Sequence, residues 1–400
     1  MKTLRDTLLH RASGRPLVPL VIEDDRGTRT HIGEGSPVLE VRVHTPAGRA
    51  AILSLGELAI ADAYIKGDID LQGDLVAAMS LRDVLWDNAF WLSLVERIKA
   101  AVAGSIYNPT QVAKHYDLDN IQLFATDDRY NTYTPGIYLD DSSTLEDGAE
   151  LKFATAFQEL GLRPGRSLLD VGCGWGGFAL YAAARGVNVT GITLSRHQLR
   201  FAQSCLIQHG HNARLLYEDF YKFCPSHRFD AISLMGVLED LSNYGKVMTR
   251  LRDWLSPNGR VYLDFACSRR RFGVSSFISR HVWPGRFRLV YLPEFVRAID
   301  SVGLEIVSMW NDRRNYCTWA EMMHERWMDR KEQVVDAASE EAWRLFRLLV
   351  AGVAATMRDE SSRASAYRVV LAFRSPNIRK TLRVPESMRR LLVNFDPMTL

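Results

Sequence analysis

Asp170-Val171-Gly172-Cys173-Gly174-Trp175-Gly176-Gly177 is the stretch on which the fold turns. It ends the apolar run RSLLDVG (166–172) and opens GGFALYAAARG (176–186), a helical pattern with a glycine stop. A glycine turn after a buried strand lets backbone approach a ligand closely, because glycine has no Cβ. At the carboxyl edge of a doubly wound sheet, such a turn is the usual nucleotide or cofactor site. The spacing fits the dinucleotide fingerprint GxGxxG poorly, since Gly176 precedes the glycine at 177. Asp170, directly before the loop, points instead to S-adenosylmethionine (SAM), whose amino group an acid there can meet.

Outward from the loop, strand and helix alternate. NVTGITL (188–194), ARLLYEDF (213–220), FDAISLMG (229–236) and GRVYLDFA (259–266) read as strands. SRHQLRFAQSCLIQHG (195–210) reads as a helix with Ser195 as its N-cap. LEIVSMWN (304–311) and YRVVLAFR (367–374) supply the last strands. The expectation is an α/β, Rossmann-like class I SAM-dependent methyltransferase domain over 111–400. Asp219, at the end of a strand, offers an acceptor for the adenine amine, and Phe220 a ring to stack on it.

Residues 1–103 form a smaller α+β unit in this reading. VLEVRVHTP (38–46) and AAILSL (50–55) read as strands joined by a turn at Pro46-Ala47-Gly48. LGELAIADAYIKGDIDLQGDL (55–75) gives a short helix and then Gly/Asp turns. A helical stretch runs from about Leu75 to Val102, and a linker falls near Ala103–Thr110.

The chain has 400 residues, is 47% hydrophobic and carries a formal net charge of +3, so bulk charge names no partner. Its five cysteines are scattered without a CxxC pair, which argues against a disulfide framework or a metal site and fits a reducing cytoplasm. The N-terminal MKTLRDTLLHRASGRP lacks a signal-peptide core. The longest apolar helical stretch, Leu348–Met357, is about half of what spans a bilayer. A cytoplasmic protein, peripheral to the inner face of the membrane, is expected.

Several segments together resemble the cyclopropane-fatty-acyl-phospholipid synthases and the related mycolic acid methyltransferases. They are HYDL (115–118), LLDVGCGWGGFALYAA, GITLS with Gln198 downstream, and the tail around ERW (325–327) and YRVVLAFR. Generic methyltransferases usually carry an acid after the second strand, whereas this chain has Thr193-Leu194-Ser195. The resemblance implies a fatty-acyl substrate, an unsaturated phospholipid chain whose alkene takes the methyl of SAM through a carbocation. Loss of a proton then closes a cyclopropane, while related members stop at a methyl branch, a methylene group or a hydroxylated methyl branch. It also implies SAM contacts at Tyr133 and Thr134 near the sulfonium, Gly172 and Gly174 along the methionine part, Thr193, Leu194 and Gln198 along the adenosine, and Asp219 with Phe220 at the adenine.

The resemblance further implies a bicarbonate site, and here the chain departs from the pattern. Glu239 and Tyr316 match two of its ligands. Pro135 stands for the cysteine, Asp240 follows Glu239 where the family has histidine, Asp264 stands for the later histidine and Ala266 for the isoleucine. A carboxylate at 264 would repel bicarbonate. The expectation is that the two acids share the site and that Glu239, Asp264 or both stabilise the cation or take the proton, close carboxylates pushing one pKa upward.

RRRFGVSSFISRHVWPGRFR (269–288) holds six arginines, interleaved aromatics and no acid. Such a stretch binds anionic head groups or nucleic acid. The family context selects an anionic membrane surface over nucleic acid. The N-terminal unit is expected to assist lipid docking or to form a homodimer. The other readings are a natural-product methyltransferase, which a polar cleft would favour, a non-catalytic SAM- or lipid-binding paralogue, and an NAD(P) oxidoreductase, which lacks its ribose-binding acid here.

Overall fold

The computed structural model describes residues 2–12, 17–87, 129–241, 243–269, 275–282 and 289–374. The linker near 103–110, the far end of the expected 75–102 helix and the HYDL segment lie outside them.

Two sheets organise the chain. The first contains β1 (Leu20–Glu23), β2 (Arg29–Ile32), β3 (Leu39–Val43) and β4 (Ile69–Gly73), in the order β2-β1-β3-β4. Three of its expected elements differ. Residues Pro46–Ser54 are helix, not a turn and a strand: Thr45 caps Gly48 N through its side chain and Pro46 occupies the first turn. That capping chemistry outweighs the apolar run that follows it. After a turn at Gly67 and a bend at Asp68, Ile69–Gly73 is a strand paired with β3 where further turns are expected. After the short Leu75–Ala78 helix, Met79–Val84 tightens to a 3-10 turn and Trp86 bridges to Gly56, so the expected long helix does not start there.

The second sheet is the α/β domain. Its strands are β5 (Ser167–Val171), β6 (Asn188–Thr193), β7 (Arg214–Tyr217), β8 (Phe229–Met235), β9 (Leu255–Ser268), β10 (Val290–Tyr291), β11 (Leu304–Asn311) and β12 (Ala364–Phe373). The order is β11-β12-β9-β8-β5-β6-β7, with β10 beside β9. Pairs from β9 through β7 are parallel, while β12 runs antiparallel to β9 and β11. The strands are near-continuous apolar runs because helices cover both faces. The order reverses between β5 and β8, where open α/β sheets hold their ligands.

The helices Arg313–Asp329 and Glu340–Arg358 pack together over the sheet's carboxyl side. Trp327 and Trp343 lock them by donating their indole N–H groups to each other's carbonyls, at 2.9 and 3.1 Å. The Glu340–Arg358 helix also grips the first sheet. Arg347, buried, donates to the Tyr64 hydroxyl at 2.8 Å and the Leu71 carbonyl at 2.9 Å. Arg344 reaches the carbonyls of Tyr64 and Ile69 and the carboxylate of Asp70. Leu348, Leu349 and Ala351 join the N-terminal core itself. Among the described residues no helix is long and apolar enough to cross a membrane.

Candidate active site

The loop after β5 makes one wall. Gly172, Gly174 and Gly176 all have positive φ. At Gly172 (φ +67) an added Cβ would lie 2.4 Å from Val237 Cγ2, so only glycine fits between this turn and the β8 end. Asp170 sits beneath the loop, buried, and accepts a hydrogen bond from the Ser233 hydroxyl at 2.7 Å. Burial raises its pKa to about 7, against the pull of that bond.

The end of β6 makes the second wall. Ser195 caps the Arg196–Gln208 helix, as the sequence indicates, accepting from Gln198 N at 3.1 Å. The cap orients Thr193, Leu194 and Gln198, which line the same space. Phe220 lines it too, braced edge-on by Trp254. Asp219 does not line it: its carboxylate accepts from Tyr221 N at 2.7 Å within its own turn, and the cavity wall there is Glu218.

The third wall carries the residues implied for chemistry. Tyr133, Thr134, Pro135, Glu239, Ala266 and Tyr316 all border the cavity. Glu239 is buried. Its Oε1 accepts from Ala266 N at 2.6 Å, and its Oε2 has no partner. Burial, with smaller pushes from Asp240 and Asp264, raises its pKa to about 8. Tyr316 is in the first turn of the Arg313–Asp329 helix, and burial drives its hydroxyl well above the usual range.

Asp264 corrects the expectation of a shared carboxylate pair. It is buried but does not line the cavity. Lys152, also buried, puts Nζ 3.4 Å from Asp264 Oδ2 and donates to the Thr134 hydroxyl. Asp264 therefore faces an amine, and of the two expected acids Glu239 is the one that borders the cavity. Burial lowers the Lys152 pKa and Asp264 opposes that shift. Lys152 was legible as an anomaly: it shares the buried helical face of Ala149, Phe153 and Ala156. Lys152→Met should destabilise the protein by about 3–5 kcal/mol, because it strands a buried charge. Adding Asp264→Leu should recover most of that loss in denaturant unfolding; simple additivity of the two substitutions would contradict the pairing.

The cavity itself has a volume of about 520 Å3, within the roughly 300–1,000 Å3 of small-molecule sites. Its lining joins the glycine loop, Glu239 and Tyr316 to many apolar side chains. Protein interiors hold few voids larger than a water molecule, so a space this size is the candidate site. The glycine cradle, the buried acid below it and the Thr193–Gln198 wall fit the methyl donor expected from the sequence.

Comparison with known proteins finds relatives of this chain. The family model described as mycolic acid cyclopropane synthetase matches residues 105–366. A probable fatty acid methyltransferase of Mycobacterium tuberculosis is 28% identical over 76% of this chain and 81% of its own length. A sphingolipid C9-methyltransferase of Komagataella phaffii is 24% identical over 78% of this chain and 68% of its own. The crystal structure of mycolic acid cyclopropane synthase CmaA1 complexed with SAH and CTAB superposes with a TM-score of 0.61 at 24% identity, covering 66% of this chain and 98% of that one. This last likeness establishes the fold.

Proposed function

This chain belongs to the mycolic acid cyclopropane synthetase family and is a SAM-dependent methyltransferase, and from that premise we propose that it methylates the double bond of an unsaturated fatty-acyl chain in a phospholipid. The observation that carries the reading is that one cavity is lined by the glycine cradle, by Glu239 and by a large set of apolar side chains. An apolar lining supports an acyl substrate over the polar cleft that a small natural product would call for.

SAM bound at Gly172 and Gly174 supplies an electrophilic methyl group. Tyr133 and Thr134 border its reactive end, and Lys152 fixes the Thr134 hydroxyl. Glu239 faces the acyl chain with Oε2 free while Ala266 N holds Oε1. A positive charge beside it favours its ionised form. Ionised Glu239 then stabilises the cation on the methylated chain and takes the proton whose loss makes the chain neutral. Tyr316 closes the far side of that pocket and helps exclude water. Asp264, tied to Lys152, acts through Thr134 rather than on substrate.

This assignment needs no bicarbonate: a proton taken from a neighbouring chain carbon leaves a methyl-branched alkene, and a 1,2-hydride shift followed by loss of a proton from the transferred methyl leaves a methylene group, neither of them a ring. Mass spectrometry and NMR of lipids from an expressing strain test it. A cyclopropane product whose formation depends on bicarbonate would overturn the Glu239 route. The same lipid extracts separate phospholipid from sphingolipid substrates.

The basic stretch 269–288 completes the proposal as the membrane-docking face. Arg269 and Arg280 are exposed; residues 270–274 and 283–288 lie outside the described set. Arginines near an anionic surface attract it over a Debye length. The protein should sediment with phosphatidylglycerol vesicles, release at high salt and leave phosphatidylcholine vesicles unbound. Equal binding to both would remove the electrostatic role.

A further inference from the structure

The cavity does not stop at the catalytic domain. Leu20, Ile22, Leu39, Val41, Ile52 and Leu71, from the N-terminal sheet and its helix, line the same space as the glycine loop. These side chains are buried core residues of the N-terminal unit, so that core is hollow. Glu57 and Arg82 also border this half, and they pair with each other, Arg82 Nη2 lying 2.9 Å from Glu57 Oε1.

The two halves meet along the Glu340–Arg358 helix. Leu348 and Leu349 belong to the N-terminal core, while Met357 packs with Ala266 near Tyr316. Gly352 lies between them and borders the cavity. A Cβ added there would meet nothing within 4 Å. Glycine inside a helix is weaker than alanine, and no neighbour here demands it. Open space beside the helix at this point is what a glycine leaves.

We propose that the N-terminal unit is an acyl-chain receptacle: the methyl-terminal segment of the substrate passes Gly352 and lies in the hollow core, with its alkene at Glu239. The inference rests on the acyl-lipid reading above. The occupant is hydrocarbon because, among the described residues lining this half, the two charges Glu57 and Arg82 pair with each other, and burying a polar group without partners is costly. The receptacle would measure how much chain extends beyond the double bond, so the N-terminal unit sets chain-length selectivity as well as approach to the membrane.

The direct test uses the full-length wild-type protein and a phosphatidylglycerol whose unsaturated chain ends in a diazirine. Irradiation followed by peptide mapping should place the label within residues 17–87; a label confined to residues 129–374 would overturn the proposal. A second arm uses Gly352→Phe with myristoleoyl and oleoyl phosphatidylglycerol, whose chains differ only beyond the double bond. The variant should lose at least about tenfold more activity on the longer chain, the scale on which apolar pockets discriminate methylenes. Equal loss on both chains, with S-adenosylhomocysteine (SAH) binding intact, would contradict it. Absence of methyl transfer to every chain, with the label still in 17–87, would count against the proposed reaction and leave the acyl receptacle standing.

Discussion

Glu239→Gln should lower methyl transfer by about 100- to 10,000-fold, the span associated with a positioned acid or base. SAH affinity should stay within a few-fold of wild type. The substitution is close to isosteric, and the glutamine oxygen can still accept from Ala266 N, which now holds Glu239 Oε1 at 2.6 Å. The wild-type rate at limiting substrate should rise with pH and level off above about 8, because burial has raised the Glu239 pKa to about 8 and the ionised form does the work. The variant should lose that limb. Stability carries the opposite sign. The folded state holds a proton that the unfolded chain releases near 4.5, so the Glu239 contribution is full below that value and fades as pH rises through about 8. Glu239→Gln should therefore flatten the fall in stability between these limits. A variant as active as wild type would remove Glu239 from the mechanism.

Gly172→Val should weaken SAH binding at least about 100-fold, or roughly 2.8 kcal/mol at 1.4 kcal/mol per tenfold. Two effects combine at this position. A β-branched residue is strained at φ +67, and its Cβ would sit 2.4 Å from Val237 Cγ2. The loop must move away from β8, and the cradle moves with it. Gly210→Ala is the control: Gly210 also has positive φ (+69), but a Cβ there meets nothing within 4 Å. It should cost about 1 kcal/mol of stability from backbone strain alone and leave SAH binding unchanged. Calorimetric titration of both variants separates local ligand loss from general destabilisation. Near-normal binding by Gly172→Val would contradict the cradle.

What the sequence disclosed follows from what each signal depends on. The strand-loop-helix around Asp170–Gly177 is local, so its glycines and its place in the sheet were legible. Ser195 as a cap was legible for the same reason. Thr45 and Pro46 carried an equally local helix signal, yet the apolar AAILSL run masked it, because short apolar runs do not distinguish helix from strand. Asp264 shows a different limit. Its position on β9 is readable, but its partner comes from the Leu145–Glu159 helix, more than a hundred residues earlier. Register along a strand says nothing about which side chain arrives from another element. Asp219 fails likewise: its own turn captures the carboxylate through Tyr221 N. The hollow N-terminal core left no trace at all, since a residue lining a cavity and a residue filling a core follow the same apolar pattern.

The central claim is that one cavity brings the methyl donor to an acyl double bond beside Glu239. It is tested most directly by incubating the purified protein with methyl-labelled SAM and oleoyl phosphatidylglycerol vesicles, then locating the label by mass spectrometry of the released fatty acids. The account predicts label on the oleoyl chain at the former double bond, with Glu239→Gln abolishing it. Label absent from the acyl chain of a protein that binds SAH normally, or carried equally by saturated lipid, would contradict it.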